Sequence, residues 1–383
     1  MSHASETRDA GRSRKRQGER KMKFDGFYAT VDDVRIKRTR ALKPPAILIE
    51  ELPLTGAIAD NVIRWRQEIA DIMHGRDDRL LVAVGPCSAH DPEAVVEYAE
   101  RLAGVQKALG KNLLFVVRTY IEKHRTETGW KGLVNDPFLD GSCQINEGLR
   151  VARKLLIDLA KLGVPTAVKF SDVMLPQWVS DLISLGAVGA QMTGSQPHQE
   201  LTSGLSMPVI VKSGPTGDVD VAIAAIKAAR RQQSFLSVTK TALAAIVETA
   251  GNPDCCLMLR GSRTHAACDS LAVRRASDAL LGAGIDTKVM VDASHGNSQF
   301  NHHRQPFVVH GIAEQVRKGA EPLVGIGMES FLVPGRQDRK EGVPLVYGQS
   351  ITDECMGWST TEELFGELAA AVEKRREVVA AKA

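Results

Sequence analysis

The fold is first indicated by the segment Arg79-Leu80-Leu81-Val82-Ala83-Val84-Gly85-Pro86-Cys87-Ser88-Ala89-His90. Its apolar run predicts a buried strand, and this strand ends at Gly85-Pro86 because proline has no N–H to donate to a ladder. Asp91-Pro92 then predicts a helix start, with an amphipathic pattern from Glu93 to Leu102. The unit carries a thiol, Cys87, at the carboxyl end of its strand, where parallel α/β barrels place their chemistry.

The same strand–helix unit recurs along the chain. Nine apolar runs are predicted as strands: Leu80–Val84, Leu113–Val117, Thr166–Phe170, Val188–Met192, Val209–Val211, Phe235–Val238, Leu257–Leu259, Val289–Val291 and Leu323–Gly327. Helical patterns separate most of them: Gly148–Leu162, Pro176–Leu185, Val219–Arg231, Asp269–Leu281 and His310–Lys318. Strands that alternate with helices indicate parallel βαβ units.

Nine strands are one more than a (β/α)8 barrel needs. Phe235–Val238 is the extra one, because Thr239–Ala250 follows it without a clear helix–strand rhythm. A doubly wound sheet is the alternative, but no GxGxxG motif follows the first strand. The pattern therefore predicts an α/β fold, a (β/α)8 TIM barrel with an N-terminal extension and an inserted extra strand or hairpin.

The first residues of the chain differ in composition from the rest. Between Met1 and Lys23, eight Lys or Arg stand against three Asp or Glu, which gives a net charge of +5 where the whole chain carries +3. A basic arm could bind nucleic acid, but no basic stripe with aromatic residues follows downstream. We expect a basic, disordered tail over residues 1–30, or a start at Met22, and a single barrel domain over residues 31–383.

The composition is that of an ordinary globular protein, with 43% hydrophobic and 25% charged residues. Six cysteines without regular spacing and without a CxxC pair describe neither a disulfide framework nor a zinc site. No apolar run approaches the length of a membrane span, and the N-terminus lacks the apolar core of a signal peptide. We expect a cytoplasmic protein with neither a nucleic-acid nor a membrane partner.

The residues just past the predicted strands form an unusual set. They are Cys87, Arg118 with Lys123-His124-Arg125-Thr126, Lys212, Arg260-Gly261, Asp292-Ala293-Ser294-His295 and Glu329. In a barrel these residues meet at one mouth. Cys, His, Glu and Asp together suit a divalent transition metal such as Mn, Fe, Co or Zn, and clustered Arg and Lys suit phosphate and carboxylate groups. Each residue alone is more often part of a loop salt bridge, but together they indicate a metal site for a strongly anionic substrate.

Seven motifs make the sequence recognisable at this point. They are Gly85-Pro86-Cys87-Ser88, Lys123-His124-Arg125-Thr126, Gly129-Trp130-Lys131-Gly132-Leu133, Asn135-Asp136-Pro137, Leu259-Arg260-Gly261, Asp292-Ala293-Ser294-His295 and Ser350-Ile351-Thr352-Asp353. The sequence resembles the type I 3-deoxy-D-arabino-heptulosonate 7-phosphate (DAHP) synthases from about Val31 to about Val372. The resemblance implies a metal-dependent condensation of phosphoenolpyruvate with erythrose 4-phosphate, the first step of the shikimate pathway to aromatic amino acids. It also implies a homodimer or homotetramer.

The resemblance further implies roles for individual residues. Four match the metal ligands: Cys87, His295, Glu329 and Asp353. Four match contacts to phosphoenolpyruvate: Arg118, Lys123, Lys212 and Arg260. Arg125 and Thr126 match the site for the phosphate of the aldose. Lys123, close to both substrates, is a candidate acid for the new hydroxyl, so Lys123 and His295 are the expected catalytic residues.

Several positions near the predicted mouth depart from the family pattern. Gln191, within Gly189-Ala190-Gln191-Met192-Thr193-Gly194-Ser195-Gln196, replaces an arginine that binds the donor phosphate, and Lys169 reverses the charge of a glutamate. Lys212-Ser213-Gly214-Pro215-Thr216-Gly217 lacks the usual acidic residue, and His124 replaces a proline. We expect Lys169 and Gln191 to share the donor site, with Lys169 supplying the missing positive charge.

Three functions fit this pattern. The first is a DAHP synthase, either of the main pathway or of a secondary one. The second is a related condensing enzyme with a changed donor or acceptor, and the third is a non-catalytic paralogue that pairs with an active relative. The four intact metal-ligand positions argue against the third, and Lys169 and Gln191 separate the first two. Gly204-Leu205-Ser206 falls where the family has its feedback pocket, so inhibition by an aromatic amino acid stays open.

Overall fold

The computed structural model describes residues 31–124, 129–340 and 342–382. The chain divides into two compact units, Met1–Ala41 and Leu42–Ala383. In the first, the described residues 31–41 contain a turn in which the Ile36 N–H donates to the Asp33 carbonyl. The predicted tail, residues 1–30, lies outside the described residues.

The second unit contains ten helices and twelve strands within its described residues. The strands are β1 Leu80–Gly85, β2 Leu113–Arg118, β3 Thr166–Phe170, β4 Leu185–Val188, β5 Val209–Lys212, β6 Ser234–Val238, β7 Ala244–Glu248, β8 Cys255–Leu259, β9 Val289–Asp292, β10 Leu323–Glu329, β11 Val333–Arg336 and β12 Gln349–Ser350. The helices are α1 Pro45–Glu51, α2 Gly56–Met73, α3 Pro92–Leu109, α4 Ile145–Lys161, α5 Pro176–Val179, α6 Gln196–Ser203, α7 Val219–Ala229, α8 Ser270–Gly282, α9 Gln305–Arg317 and α10 Trp358–Ala380.

Eight strands close into a barrel in the order β1-β10-β9-β8-β5-β4-β3-β2, and every neighbouring pair is parallel. The predicted (β/α)8 barrel is therefore confirmed. The extra strand is confirmed as well: β6 pairs with β7 in an antiparallel hairpin, with Ser234 opposite Glu248 and Val238 opposite Ala244.

The fourth barrel strand differs from its predicted bounds. It runs over Leu185–Val188, whereas the sequence pattern placed it at Val188–Met192, which is wrong. The predicted helix Pro176–Leu185 is therefore shorter in the structure: it consists of α5, followed by a 3₁₀ turn at Ser180–Leu182. The strand begins early because the Gly186 N–H donates to the carbonyl of Pro208 at the start of β5. Leu185 and Ala187 then point into the barrel interior.

The core forms two layers because alternate side chains of a barrel strand point in opposite directions. Leu81 and Ala83 of β1 lie inside the barrel with Met258 of β8, while the intervening residues of each strand pack against the outer helices. Ile69 and Met73 of α2 belong to the interior layer, so this helix closes the amino-terminal end of the barrel. The opposite end is left for the functional side chains.

A buried arginine ties α4 to the α5 region. The Arg153 side chain is fully buried, and its guanidinium donates to both carboxylate oxygens of Asp181 at 2.7 and 2.8 Å and to the carbonyls of Leu52 and Trp178. Removal of one partner of a buried pair leaves the other uncompensated. We expect Arg153→Ala to lower the free energy of unfolding by about 3 kcal/mol in urea denaturation.

Arg150 provides the matched control for that prediction. It lies one turn away on the same helix and pairs with Glu51, but its side chain is 48% exposed. Exposed pairs contribute little, so Arg150→Ala should cost less than about 1 kcal/mol. Equal losses for the two variants would show that the buried network is not what stabilises this corner.

Within the described ranges, no helix is both long enough and apolar enough to cross a membrane.

Candidate active site at the barrel mouth

A cavity of about 640 Å³ lies where the carboxyl ends of the barrel strands meet. Nine of the residues singled out from the sequence line it: Arg118, Lys123, Lys169, Gln191, Lys212, Arg260, His295, Glu329 and Asp353. Cys87 lies directly below, in contact with Lys123. Two predicted residues, Arg125 and Thr126, lie outside the described part of the chain.

The turn after β1 brings Cys87 to the mouth. Gly85 has φ +147°, and a Cβ there would lie 3.1 Å from the backbone N and O of Arg118, so glycine allows β1 and β2 to approach. After the turn, the Asp91 side chain accepts a hydrogen bond from the Ala94 N–H, and Pro92 begins α3. The thiol is thus held between a rigid strand and a capped helix.

Three candidate metal donors cluster near the cavity floor. The Cys87 thiol donates to Asp353 Oδ2 at 3.0 Å, and one donor atom each of Cys87, Glu329 and Asp353 lie within 4.8 Å of one another. Asp353 reaches the cluster because the Met356 N–H donates to the Glu329 carbonyl at 2.9 Å. A thiolate with two carboxylates is a mixed S/O donor set suited to a divalent transition metal, so the residues present fit such an ion.

His295 lies beside this cluster. Its Nε2 is 3.8 Å from Glu329 Oε1, while its Nδ1 is 2.9 Å from Asp292 Oδ2. If Nδ1 carries the proton and donates it to Asp292, the lone pair of Nε2 is free to bind a metal on the side where Glu329 lies. Despite its complete burial, the Asp292 carboxyl keeps a pKa well below its usual range because Lys212 and His295 face it. The histidine is therefore oriented as metal-binding histidines usually are.

Lys123 spans the space between the metal donors and the cavity. Its Nζ donates to Cys87 Sγ at 2.8 Å and lies 3.7 Å from Asp353 Oδ2. Burial opposes its charge, but the neighbouring Cys87, Asp353 and Glu329 outweigh it and raise the pKa of Lys123. Burial in turn raises the pKa of the Cys87 thiol to about 12, so binding of a cation by this sulfur must release a proton.

The cavity cations fall into two groups. Arg118 donates to Glu329 Oε1 at 2.6 Å and Lys212 to Asp292 Oδ2 at 2.6 Å, so both are held by buried carboxylates. Arg260 and Arg263 instead flank the Phe300 ring, at 5.6 and 5.5 Å from its centroid. Neither has a carboxylate partner among the described residues, so both guanidinium groups are available to an anionic ligand.

Lys169 and Gln191 lie together, as expected from the sequence. Lys169 is the penultimate residue of β3, just before Phe170, and Gln191 follows β4. A Cβ added to Gly189 would be 3.2 Å from Lys169 Cδ and 3.8 Å from Gln191 Oε1, so both side chains surround this glycine. Burial, together with the charges of Lys123 and Lys212, lowers the pKa of Lys169 to about 7.

The sequence reasoning missed the hydroxyl side chains of Ser262 and Thr264 in the cavity lining, and three larger side chains as well. Tyr120 stacks under Arg118, with 4.4 Å between the guanidinium carbon and the ring centroid. Arg263 and Phe300 line the cavity from the loops after β8 and β9. Arg263 could have been found by following that loop beyond Arg260-Gly261. Phe300 carries no sequence signal, because a backbone with φ +56° at His295 and +60° at Phe300 brings it back to the mouth.

The chain is similar to a characterised protein family over most of its length. The family model described as "DAHP synthetase I family" matches residues 56–365. This chain belongs to that family. It is 47% identical over 345 residues to the Phe-sensitive phospho-2-dehydro-3-deoxyheptonate aldolase of Escherichia coli K12, a match that covers 90% of this chain and 98% of that protein. The predicted family and the predicted enzyme class, DAHP synthase, are thereby confirmed.

Two further relatives support the DAHP synthase assignment. The phenylalanine-inhibited phospho-2-dehydro-3-deoxyheptonate aldolase of Saccharomyces cerevisiae is 44% identical over 361 residues, covering 92% of this chain and 97% of the yeast protein. The solved phospho-2-dehydro-3-deoxyheptonate aldolase of Francisella tularensis SCHU S4 superposes with a TM-score of 0.87 at 45% identity, covering 89% of this chain and 99% of the other. DAHP synthases are metal-dependent, in accord with the donor set described above.

Proposed function

We propose that this DAHP synthase condenses phosphoenolpyruvate with erythrose 4-phosphate at the barrel mouth, releasing DAHP and phosphate. The observation that carries the proposal is one cavity that joins a donor cluster of one thiol and two carboxylates to two guanidinium groups that have no carboxylate partner among the described residues. The phosphate groups of the substrates require cations of this kind, and attack on an aldehyde is helped by a Lewis acid that polarises its carbonyl oxygen.

Cys87, Glu329, Asp353 and His295 are the residues proposed to hold the metal. When bound, a divalent ion there supplies Lewis acidity for a carbonyl group. Lys123, protonated and placed at 2.8 Å from Cys87 Sγ, is the proposed acid that gives its proton to the new hydroxyl oxygen. Asp292 accepts from His295 and Lys212 and thereby fixes both side chains.

Arg260 and Arg263 are proposed to bind the phosphoenolpyruvate anion, because neither is neutralised by a described carboxylate. Arg118 and Lys212 would complete the donor pocket from the walls, with their geometry fixed by Glu329 and Asp292. When both anionic substrates are bound in reacting geometry, their translational and rotational entropy is already lost on binding, and this lowers the activation free energy of the condensation. Water then adds to C2 of the joined substrates and phosphate leaves by C–O cleavage.

A second candidate is the same type of condensation with a changed donor or acceptor. The observation that favours it is the pairing of Gln191 with Lys169 around Gly189, where the family pattern has an arginine and a glutamate. A lysine is a point charge without the bidentate fork of arginine. Activity assays of the purified protein identify its native substrates, and elemental analysis distinguishes among Mn, Fe, Co and Zn.

The test is phosphate release from phosphoenolpyruvate with a panel of aldose phosphates. Erythrose 4-phosphate should give the largest kcat/KM, and excess EDTA should abolish the reaction until a divalent metal is added back. Full activity in EDTA, with no metal by elemental analysis, would contradict the metal assignment. A clear preference for another aldose phosphate would support the second candidate.

Arg125 and Thr126 are proposed to hold the phosphate of the acceptor. Arg125→Ala should therefore raise the KM of the aldose phosphate about 10-fold or more, a loss expected for a charged hydrogen bond, while the KM of phosphoenolpyruvate changes little. Initial-rate kinetics with each substrate varied in turn measure the two constants. Equal increases in both constants would count against this placement.

We also propose that the protein is a cytoplasmic homodimer or homotetramer. The exposed apolar side chains of the β6–β7 hairpin support self-association, since Leu236 and Ile246 are 88% and 74% exposed. Light scattering coupled to gel filtration gives the oligomeric state. A monomer at micromolar concentration would contradict it.

A further inference from the structure

Three lysines line the active-site cavity, and Lys169 is the one whose amine forms no hydrogen bond and no ion pair with any described residue. Lys123 is held by Cys87 and Asp353, and Lys212 by Asp292. The Lys169 Nζ lies 5.8 Å from the centroid of the Tyr120 ring. The amine therefore faces the cavity, and no described residue places a neutralising group within hydrogen-bond distance of it.

The groups around this amine disfavour its charged form. Burial has the largest effect, and the charges of Lys123, in the loop after β2, and Lys212, on β5, add to it; Cys87 and Glu122 act in the opposite direction but do not outweigh them. Glu122 is itself engaged, because its Oε2 accepts the N–H groups of Ser171 and Asp172. A lysine that is desolvated and next to other cations is the pattern of an activated amine nucleophile.

The space over the amine suits a small carbonyl compound. On one side is Gly189, which has no side chain, and next to it is the neutral amide of Gln191 in place of a cation. In the same cavity, Arg260 and Arg263 have no described carboxylate partner. Arginine binds carboxylates in a bidentate manner, so an acid with a carbonyl beside its carboxylate has a partner for each group.

We propose that Lys169 forms a Schiff base with the carbonyl carbon of a small 2-oxo acid bound in the donor position. The Nζ lone pair of the neutral amine attacks the carbonyl carbon, the two protons lost from Nζ pass to the carbonyl oxygen, the C–O bond breaks with release of water, and a C=N bond to Nζ forms. The step needs no oxidant, reductant or metal. It goes beyond the proposed condensation: the ammonium form of Lys169 would serve a phosphate-bearing donor, whereas the free amine serves a donor that lacks phosphate.

The test is reductive trapping on the full-length protein with pyruvate as the probe. Borohydride is added briefly at pH 7, the protein is digested, and carboxyethyl-lysine is mapped by mass spectrometry. An amine with a pKa of about 7 has on the order of 10²–10³ times more free base at this pH than an ordinary lysine. We expect the Lys169 peptide to be labelled at least about 10-fold more than that of Lys161, which is 62% exposed.

Two controls make the outcome specific. Excess phosphoenolpyruvate should suppress labelling of Lys169, and Lys169→Arg, which keeps the charge but not the nucleophile, should abolish it. Label at Lys123 or Lys212 instead, labelling no greater than at Lys161, or labelling that phosphoenolpyruvate does not suppress would each overturn the proposal. Phosphate release is measured on the same preparation, so failure of the proposed condensation and failure of the Schiff base are separate results.

Discussion

Replacing Cys87 with serine is expected to lower the affinity for a divalent metal at least about 100-fold and to remove phosphate release with it. The thiol lies within 4.8 Å of donor atoms of Glu329 and Asp353, and it is the only soft ligand in that cluster. A serine hydroxyl of similar size is a poor ligand for the metals that favour a thiolate. Elemental analysis after dialysis against a weak chelator measures the retained metal.

The chain offers two cysteines as matched controls. Cys143 is exposed and Cys268 is partly buried away from the metal donors, so serine at either position should leave metal content unchanged. Thermal unfolding of each variant separates a lost ligand from a lost fold. Wild-type metal content in Cys87→Ser would remove Cys87 from the proposed ligand set.

The second large effect is expected at Lys169. If its ammonium group binds the donor phosphate in place of the family's arginine, Lys169→Ala should raise the KM of phosphoenolpyruvate by one to two decades, because a hydrogen bond to a charged group contributes about 1.5–3 kcal/mol. The alternative, in which Lys169 forms a local salt bridge, is not observed, because no carboxylate of the described residues pairs with Lys169. Steady-state kinetics measure this effect, with Lys161→Ala as the surface control.

A double variant tests the compensation directly. Gln191→Arg combined with Lys169→Glu restores the charges of the family pattern and should restore or raise DAHP synthesis relative to Lys169→Ala. If Lys169→Ala instead binds phosphoenolpyruvate as well as the parent does, the compensation fails and a different donor becomes the better hypothesis.

The same lysine gives a pH dependence with a definite sign. The protonated amine that phosphate needs is fully present well below pH 7 and is lost as the pH rises through about 7, the pKa of Lys169. The kcat/KM for phosphoenolpyruvate should therefore fall across that range. In Lys169→Arg, which stays charged, this fall should disappear; its persistence would assign the titration to another group.

The fold could be predicted because the sequence repeats one physical pattern. Buried runs such as Leu80–Gly85 read as strands wherever a helix with a polar face follows. The bounds of β4, Leu185–Val188, are ambiguous in the sequence. The apolar run continues past the end of this strand, through Gly189 and Ala190. Only the pairing of Gly186 with Pro208 places the strand's start, and that contact joins separate elements.

The site could be predicted as a set of residues but not as a set of pairs. Barrel topology brings every strand end to one mouth, so Arg118, Lys212 and Arg260 were expected to meet there. Which of them is neutralised depends on side-chain distances: Arg118 and Lys212 pair with buried carboxylates, whereas Arg260 pairs with none in the described part of the chain. The sequence carries no such distances, and this is why Lys169 could be named but its isolation could not.

Closure of the barrel has a kinetic consequence. Cys87 follows the first barrel strand and Glu329 ends the last, and β1 and β10 are hydrogen-bonded neighbours with Gly85 opposite Glu329. Donors so far apart in the chain meet only after the ends of the barrel have joined, a late event because closing a long loop is entropically costly. Bound metal should thus slow unfolding while leaving the refolding rate nearly unchanged. The ion would hold the first and last strands of the barrel together, so its occupancy would determine how long the folded enzyme resists thermal inactivation and proteolysis.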